Sequence, residues 1–293
     1  MSAVTTAAHL LVAALFSPMV LHVGGASIEL EVPEEQAGLL VAWVESSARA
    51  VATYYGRFPV SHARVMVRAT GGRGVGHGTA YPGGRVMVDV GRALTREQLE
   101  RDWVMTHELV HLAFPSLPEQ QHWLEEGLAT YVEPIARVRA GALRAEAVWR
   151  DLVRDMPKGQ PATGDRGLDY TPTWGRTYWG GALFCLVADV SIRERTGNRK
   201  GLEHALRAIM AAGGTLGNEW TMERVIRVGD AASGVPVLRE LYDRMRAAPA
   251  PVELDDLWRR LGIVVREDGV ALDDRAPLAA VRRAIMPEGR PNR

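Results

Sequence analysis

The sequence is poor in cysteine, with one in 293 residues. A single cysteine cannot form an internal disulfide or supply the thiolate cluster of a structural zinc site. The chain also lacks net charge, since 35 Lys and Arg balance 35 Asp and Glu. Proteins that bind nucleic acid do so mainly through positive charge, so we predict no nucleic-acid partner.

Long apolar runs are missing as well. The apolar run near the N-terminus covers residues 10–16 and continues weakly to residue 26, whereas a membrane-spanning helix needs roughly 20 residues. We therefore predict no integral membrane span. Two interpretations of residues 1–26 stay open: a signal peptide or N-terminal extension of an exported (periplasmic or extracellular) protein, or the first element of the fold in a cytoplasmic one. No basic residue precedes the run, but residues 24–26 are small, as at a cleavage site.

Apolar residues make up 47% of the chain, enough to bury a large core and to exclude general disorder. Alternating apolar residues predict strands at residues 28–32, 63–69 and 85–90. Helical spacing predicts helices at residues 34–55, 95–114, 119 to beyond 131, 178–195, 201–212, 221–228, 235–247 and 254–261, followed by a hairpin at 263–272. Strands first and helices after predict an α+β fold.

Local signals refine these boundaries. Thr95 and Gln98 have the spacing of a capping box at a helix start, and Pro134 should kink or end the helix in which it lies. Residues 155–173 are rich in Gly, Pro and Asp and predict a long loop. The glycine-rich residues 71–78 lead into a strand and lack the Lys-Ser/Thr ending of a phosphate loop, so we predict a mobile or closely packed loop there.

The sequence feature that most clearly indicates a chemical function is the motif His107-Glu108-Leu109-Val110-His111. On a helix, residues four apart share a face, so both imidazoles can reach one metal ion. Glu108 lies about 100° around the helix, where it can contact a metal-bound water without being a ligand. The alternative is a pair of helix histidines without a metal.

A catalytic zinc site needs three protein ligands and an open position. No histidine occurs between residues 113 and 121, and His122 comes eleven residues after His111. Residues 123–133 read WLEEGLATYVE, which resembles the third-ligand helix of the gluzincin metallopeptidases, in particular aminopeptidase N, leukotriene A4 hydrolase and the smaller peptidase MA-like domains. The resemblance implies that Glu126 is the third zinc ligand and that Glu125 fills a variable position.

The same resemblance extends to two further stretches. Tyr178, in the sequence Tyr-Trp-Gly-Gly-Ala, matches a family tyrosine that stabilises the oxyanion, although Gly180 stands where the family has lysine. Residues 78–84 correspond to the edge strand that grips a free N-terminal ammonium through a glutamate, but they contain no glutamate. Strict aminopeptidase specificity is therefore not expected, while the strand could still pair with an extended substrate.

Other residues carry weaker hypotheses. Gly127 should let the two ligand-bearing helices approach closely. Glu133 could orient a ligand imidazole or lie on a solvated helix face. Cys185, in an apolar helix, is expected to be inert core. His77 could approach the site, although a position in a solvent-facing loop is favoured, and His122 is expected as a helix cap.

The sequence thus predicts a zinc-dependent peptidase with one Zn²⁺ per chain, held by His107, His111 and Glu126, and with Glu108 and Tyr178 as catalytic groups. Residues 27–247 would form the peptidase domain, with a small N-terminal sheet lobe, a mostly helical lobe and the zinc between them, and residues 248–293 a helix and hairpin packed on it. A peptide or protein would be the substrate. The alternatives are a non-catalytic zinc domain with a structural or partner-binding role, and a zinc hydrolase of a non-peptide substrate.

Overall fold

The computed structural model describes residues 19–267 and 269–287. Its N-terminal part is a five-stranded sheet with strand order β1-β2-β3-β5-β4. Strands β2, β3 and β5 are parallel neighbours, and β1 and β4 pair antiparallel at the two edges. The strands are β1 (Met19–Val23), β2 (Ala26–Glu31), β3 (His62–Thr70), β4 (Val75–Tyr81) and β5 (Arg85–Gly91).

The rest of the described chain is mainly helical, which confirms a mixed α+β fold with an N-terminal sheet. The helices are α1 (Ala37–Tyr55), α2 (Arg96–Arg101), α3 (Val104–His111), α4 (His122–Arg139), α5 (Ala145–Asp155), α6 (Gly181–Arg195), α7 (Leu202–Ala211), α8 (Met222–Ser233), α9 (Val237–Met245), α10 (Leu254–Leu261) and α11 (Ala279–Ile285). A hairpin of β6 (Ile263–Arg266) and β7 (Gly269–Leu272) lies between the last two. Within the described residues, no helix combines the length and apolar character needed to cross a membrane.

The core explains why these segments fold as they do. Alternate residues of the sheet, such as Ile28, Val65 and Val88, are fully buried, as expected for strands with one face on the core. Helix α1 packs its apolar side against α3 and α4 and ends at Gly56, whose φ of 81° suits glycine. Each fully buried aliphatic side chain contributes about 1.5–3 kcal/mol, so this packing fixes the position of α3 and α4.

The predicted single helix at residues 95–114 is wrong, because the structure divides it into α2 and α3. The capping box of Thr95 and Gln98 is present at the start of α2. The chain then turns at Asp102, whose side chain accepts hydrogen bonds from the backbone N–H groups of Val104 and Met105 at 3.1 and 3.2 Å. Asp102 thereby satisfies free donors at the start of α3 and makes a second helix start favourable.

We predicted that Pro134 would kink or end its helix, and the end is not observed, since α4 continues to Arg139. Proline costs one backbone hydrogen bond within a helix. Here α4 packs against α1, α3 and α6, and the neighbouring Ile135 and Ala136 are fully buried. Tertiary packing therefore outweighs the local penalty.

The glycine-rich residues 71–78 are only partly a loop, because β4 begins at Val75. Helix α5 was not predicted, and the predicted loop at 155–173 contains two short 3₁₀ turns.

Of the predicted extension at residues 1–26, residues 19–23 form β1 and residues 1–18 lie outside the described chain. The C-terminal segment contacts α4 through Arg139, which donates to the carbonyl oxygens of Ala284 and Ile285.

Candidate metal centre

Helix α3 presents both histidines of the motif on one side. The ring centroids of His107 and His111 lie 4.8 Å apart, as residues one helical turn apart should. His107 is buried, and the side chain of His111 is 13% exposed. The backbone that carries them is held at its start by Asp102, so the two imidazoles are fixed to a capped helix.

Helix α4 brings Glu126 to this pair. Its Oε2 lies 3.2 Å from Nε2 of His107 and 3.7 Å from Nε2 of His111. One potential ligand atom from each of the three residues lies within 4.8 Å of the others, the one such group among the described residues. Two imidazole nitrogens and a carboxylate oxygen are a typical donor set for zinc.

A close contact between helices places Glu126. The next residue, Gly127, lies against Gly181 at the start of α6, and a Cβ on Gly127 would come within 2.2 Å of the Gly181 backbone. We expected Gly127 to serve contact between the two ligand-bearing helices, but the structure shows that its close approach is to α6. Only glycine permits this distance, and the contact brings Glu126 near the turn that carries Tyr178.

The pKa values of the three candidate ligands are shifted by burial and by one another. Burial alone would raise the pKa of Glu126, but the hydrogen bond to His107 and the nearby imidazole of His111 lower it well below its usual range. Burial lowers the pKa of His107, which favours its neutral form. An ionised carboxylate and a neutral imidazole are the forms that bind a metal ion. For His111, burial lowers the pKa but the neighbouring carboxylates of Glu126 and Glu108 raise it above its ordinary value, so this imidazole would give up a proton on binding a metal ion. The described residues therefore fit zinc in donor chemistry.

The ring of His107 has one unused polar atom. Its Nδ1 is buried and has no hydrogen-bond partner among the residues that the structure describes. We considered Glu133 as a partner for a ligand imidazole, but its Oε1 instead accepts a 2.8 Å hydrogen bond from Arg137. Glu133 is buried rather than solvated, so neither expectation for this residue describes its position.

Glu108 faces the cleft beneath the edge strand β4. Gly78 of β4 passes so close that a Cβ there would lie 2.7 Å from Cγ of Glu108. The backbone N–H of Ala80 donates a hydrogen bond to the Glu108 carboxylate. Burial nevertheless raises the pKa of Glu108, so this carboxylate binds a proton more readily than an exposed glutamate does.

Tyr178 lies on a turn of π-helix, Gly175–Gly180, that leads directly into α6. Such turns are rare in proteins, and those that do occur are often found at functional sites. The ring of Tyr178 stacks on that of His107 with centroids 6.5 Å apart. Burial raises the pKa of Tyr178, and the nearby carboxylates of Glu126 and Glu108 raise it further, so the phenol keeps its proton at neutral pH.

The neighbouring candidates lie as follows. Glu125 accepts a 2.8 Å hydrogen bond from the backbone N–H of Leu117, so it holds the loop before α4. His122 is not a cap: it is the first residue of α4, and its Nε2 lies 3.4 Å from Oε1 of Glu126. His77 is exposed on β4 rather than in a loop, and it lies among the residues that line the cleft at the site. Cys185 is buried in α6, as predicted.

The site opens into a cleft of about 510 Å³. Its walls come from β4, α3, α4 and the Tyr178 turn, so the sheet and the helical part both contribute. Sequence reasoning missed three of the residues that line it, Trp103, Val104 and Leu216. Trp103 could have been noted as a large aromatic residue four positions before His107, on the same helix face.

No protein-family model matches the chain, and no curated protein matches it in sequence. Solved structures do match it. An aminopeptidase N family protein from Idiomarina loihiensis has a TM-score of 0.64 at 14% identity, over 86% of this chain and 50% of that one. The M1 zinc metallopeptidase from Deinococcus radiodurans has a TM-score of 0.50 at 16% identity, over 81% of this chain and 53% of that one.

A mutant of the Deinococcus radiodurans enzyme bound to the substrate Tyr-Ser-Ala matches with a TM-score of 0.51 at 16% identity, over 81% of this chain and 54% of that one. The chain therefore spans about half the length of these solved structures. At identities this low, the structural similarity shows the fold alone. The activity has to be argued from the residues of the site. The chain has an α+β fold similar to that of M1 zinc peptidase domains.

Proposed function

We propose that this protein is a zinc-dependent peptidase of the gluzincin type. The observation that carries the proposal is the convergence of His107, His111 and Glu126, whose ligand atoms lie within 4.8 Å of one another, with Glu108 in the same cleft. A site that only bound a structural metal would have no need of Glu108 beside it. The similarity in fold to M1 zinc peptidases supports the same conclusion.

The three ligand residues would hold one Zn²⁺ per chain. When bound, zinc supplies Lewis-acid polarisation of a water molecule and of the scissile carbonyl. Glu108, with its raised pKa, accepts the proton of the attacking water and can pass it to the leaving amine. The protonated phenol of Tyr178 donates a hydrogen bond to the developing oxyanion, an electrostatic contribution that is strongest when the donor is already in place.

The substrate backbone is proposed to bind along β4. This strand lies at the edge of the sheet, where an extended peptide can add as a further strand. The stretch from Gly78 to Gly84 has no carboxylate to bind a free N-terminal ammonium. We therefore propose that the enzyme does not require a free substrate N-terminus.

Replacing the proposed base tests this mechanism. Glu108→Gln keeps the shape of the side chain but removes the proton acceptor, so the zinc-loaded variant should lose at least about 100-fold in hydrolysis of casein. Its zinc content should stay that of the wild type, because Glu108 is not a proposed ligand. Undiminished casein hydrolysis by the variant would refute the assigned base, and no hydrolysis by the zinc-loaded wild type would favour a non-catalytic role or a non-peptide substrate.

A further inference from the structure

A buried ion pair lies beside the turn that carries Tyr178. Arg176 is buried on this π-helical turn, two residues before Tyr178. Its Nε lies 2.8 Å from Oδ2 of Asp165, and the two side chains are only 4% and 1% exposed. These two atoms are not aligned as a hydrogen bond, and Nη2 of Arg176 also has no hydrogen-bond partner among the described residues.

A pair of this kind contributes little to stability. Burial lowers the pKa of the Arg176 guanidinium, although Asp165 raises it in part, so the positive charge is less favourable here than in water. Attraction within a buried pair offsets the desolvation of both charges only when the polar atoms are well hydrogen-bonded. Three of them are not, so the pair needs an explanation other than stability. A buried ion pair can instead select one conformation of the chain.

Arg176 also bonds to a neighbouring turn. Its Nη1 donates a hydrogen bond to the carbonyl oxygen of Gly159, which ends the short 3₁₀ turn after α5. The two turns approach so closely that a Cβ on Gly159 would lie 2.3 Å from the backbone of Trp179. Likewise, a Cβ on Gly175 would lie 2.6 Å from the carbonyl oxygen of Lys158. The guanidinium therefore links two backbone segments that already touch.

Asp165 is anchored in turn. Its Oδ1 accepts a 2.8 Å hydrogen bond from the backbone N–H of Gly167. Gly167 has a φ of 92°, which suits glycine. A Cβ on this residue would lie 2.5 Å from the backbone of Arg246 and of Ala248, just after α9. The contacts of Arg176 thus reach two packed segments of the helical part.

The conformation of the turn decides where Tyr178 lies. A π-helical turn contains one residue more than an α-helical turn, and each residue rotates the chain by about 100°. If the turn relaxed to α-helix, the residues before α6 would rotate by about this angle relative to α6. The ring of Tyr178 would then leave His107, on which it stacks with centroids 6.5 Å apart. The contacts of Arg176 with Gly159 and Asp165 oppose this rotation, because they fix the turn itself.

We propose that Arg176, paired with Asp165, is a positioning residue for Tyr178. It keeps the π-helical turn in place, so that the phenol faces the candidate metal centre before a substrate binds. Neither Arg176 nor Asp165 lines the cleft, so the pair acts through Tyr178. This inference rests on the proposed function, because it is the hydrolysis that requires the hydroxyl at this point.

The test removes the pair without leaving a lone buried charge. Arg176→Met combined with Asp165→Asn removes both charges, and the new amide keeps an Oδ1 acceptor for the backbone N–H of Gly167. Because a buried charge is not left without its partner, this pair variant should fold.

Fluorine NMR then reports the position of Tyr178 without any need for activity. Fluorotyrosine is incorporated into the full-length chain without added zinc, and spectra are recorded at about pH 6, where the phenols are protonated. The signal that is missing from Tyr178→Phe is that of Tyr178. In the pair variant this signal should shift toward that of the exposed Tyr170, whereas the signals of the buried Tyr54 and Tyr131 should stay in place.

Matched variants separate positioning from a general loss of stability. Arg176→Lys keeps the charge opposite Asp165 and should leave the Tyr178 signal nearer to its wild-type position. Arg195→Met combined with Glu240→Gln removes an exposed ion pair at the end of α6 and should leave the signal unchanged. An unmoved Tyr178 signal in the pair variant, or an equal shift of all tyrosine signals, would overturn the inference.

Kinetics test the consequence for catalysis. In the zinc-loaded protein, the pair variant should lower kcat on one peptide substrate by about 10- to 100-fold with little change in KM. In the Tyr178→Phe background the same substitutions should lower kcat by less than about twofold, because the hydroxyl that they displace is already gone. An equal fall in both backgrounds would overturn the inference. An inactive wild type, together with a shifted Tyr178 signal in the pair variant, would contradict only the proposed function.

Discussion

At the scale of single residues, a substitution of Tyr178 distinguishes a catalytic role for this side chain from a purely structural one. Tyr178→Phe removes the hydroxyl but keeps the ring that stacks on His107. If the phenol stabilises the oxyanion, kcat should fall by about 100-fold or more while KM and zinc content change little. Steady-state kinetics on one peptide substrate measure this, with Tyr170→Phe as the control. Equal kcat values for the variant and the wild type would show that Tyr178 only packs on the site.

Glu133 makes a prediction about stability and pH. Burial raises the pKa of Glu133 to about 7 in the folded protein, although the ion pair with Arg137 lowers it in part. In the unfolded chain the pKa has its ordinary value of about 4.3. The folded state thus binds this proton more tightly than the unfolded state does. The resulting contribution to the free energy of unfolding is complete below about pH 4.3 and is lost as the pH rises through 7.

The variant Glu133→Gln cannot titrate but keeps an acceptor for Arg137. Its free energy of unfolding relative to the wild type should therefore increase between pH 5 and pH 8, by about 1–3 kcal/mol. Urea unfolding at both pH values measures the difference, and Glu97→Gln, in an exposed ion pair with Arg101, is the control for loss of a carboxylate. A difference that stays constant with pH would contradict a raised pKa at Glu133.

At the scale of elements, the contact of α4 with α6 fixes the third proposed ligand. In Gly127→Ala the new methyl group would meet the Gly181 backbone at 2.2 Å, and backbone cannot move aside as a flexible side chain can. We expect destabilisation of about 1–3 kcal/mol and weaker zinc binding, since Glu126 is the adjacent residue. Chemical unfolding and zinc titration measure the two effects.

Gly38→Ala is the matched control, because Gly38 lies in α1 with no atom within 4 Å of an added Cβ. That substitution should be neutral or stabilising by up to about 1 kcal/mol. If Gly127→Ala were as stable as the wild type and bound zinc equally well, the helix contact would not position the site.

The same elements show what the sequence could and could not predict. The pairing of His107 with His111 follows from helical spacing alone, and α10 begins and ends where its apolar pattern indicates. The break at Asp102 was missed because a side-chain cap competes with helix propensity, and the continuation through Pro134 because burial outweighs a lost hydrogen bond. The periodicity of apolar residues in the sequence does not reveal a side-chain cap or the burial of a proline-containing helix.

At the scale of the whole molecule, the candidate site depends on contacts between parts that are distant in sequence. Edge strand β4 covers Glu108, α4 supplies Glu126, and the turn before α6 supplies Tyr178. The motif resemblance pointed to Glu126, but only tertiary structure shows that it, rather than Glu125, faces both histidines. The pairing of Arg176 with Asp165 is likewise a property of the folded chain that composition does not contain.

The central claim is that His107, His111 and Glu126 hold one zinc ion, and zinc content per chain tests it most directly. Mass spectrometry of the metal after dialysis should give about one zinc per wild-type chain, and less than about 0.2 in His107→Ala and Glu126→Ala, because loss of one of three ligands leaves too few donors. The folded state of each variant is checked by circular dichroism. Less than about half a zinc per wild-type chain, unchanged in both variants, would contradict the account.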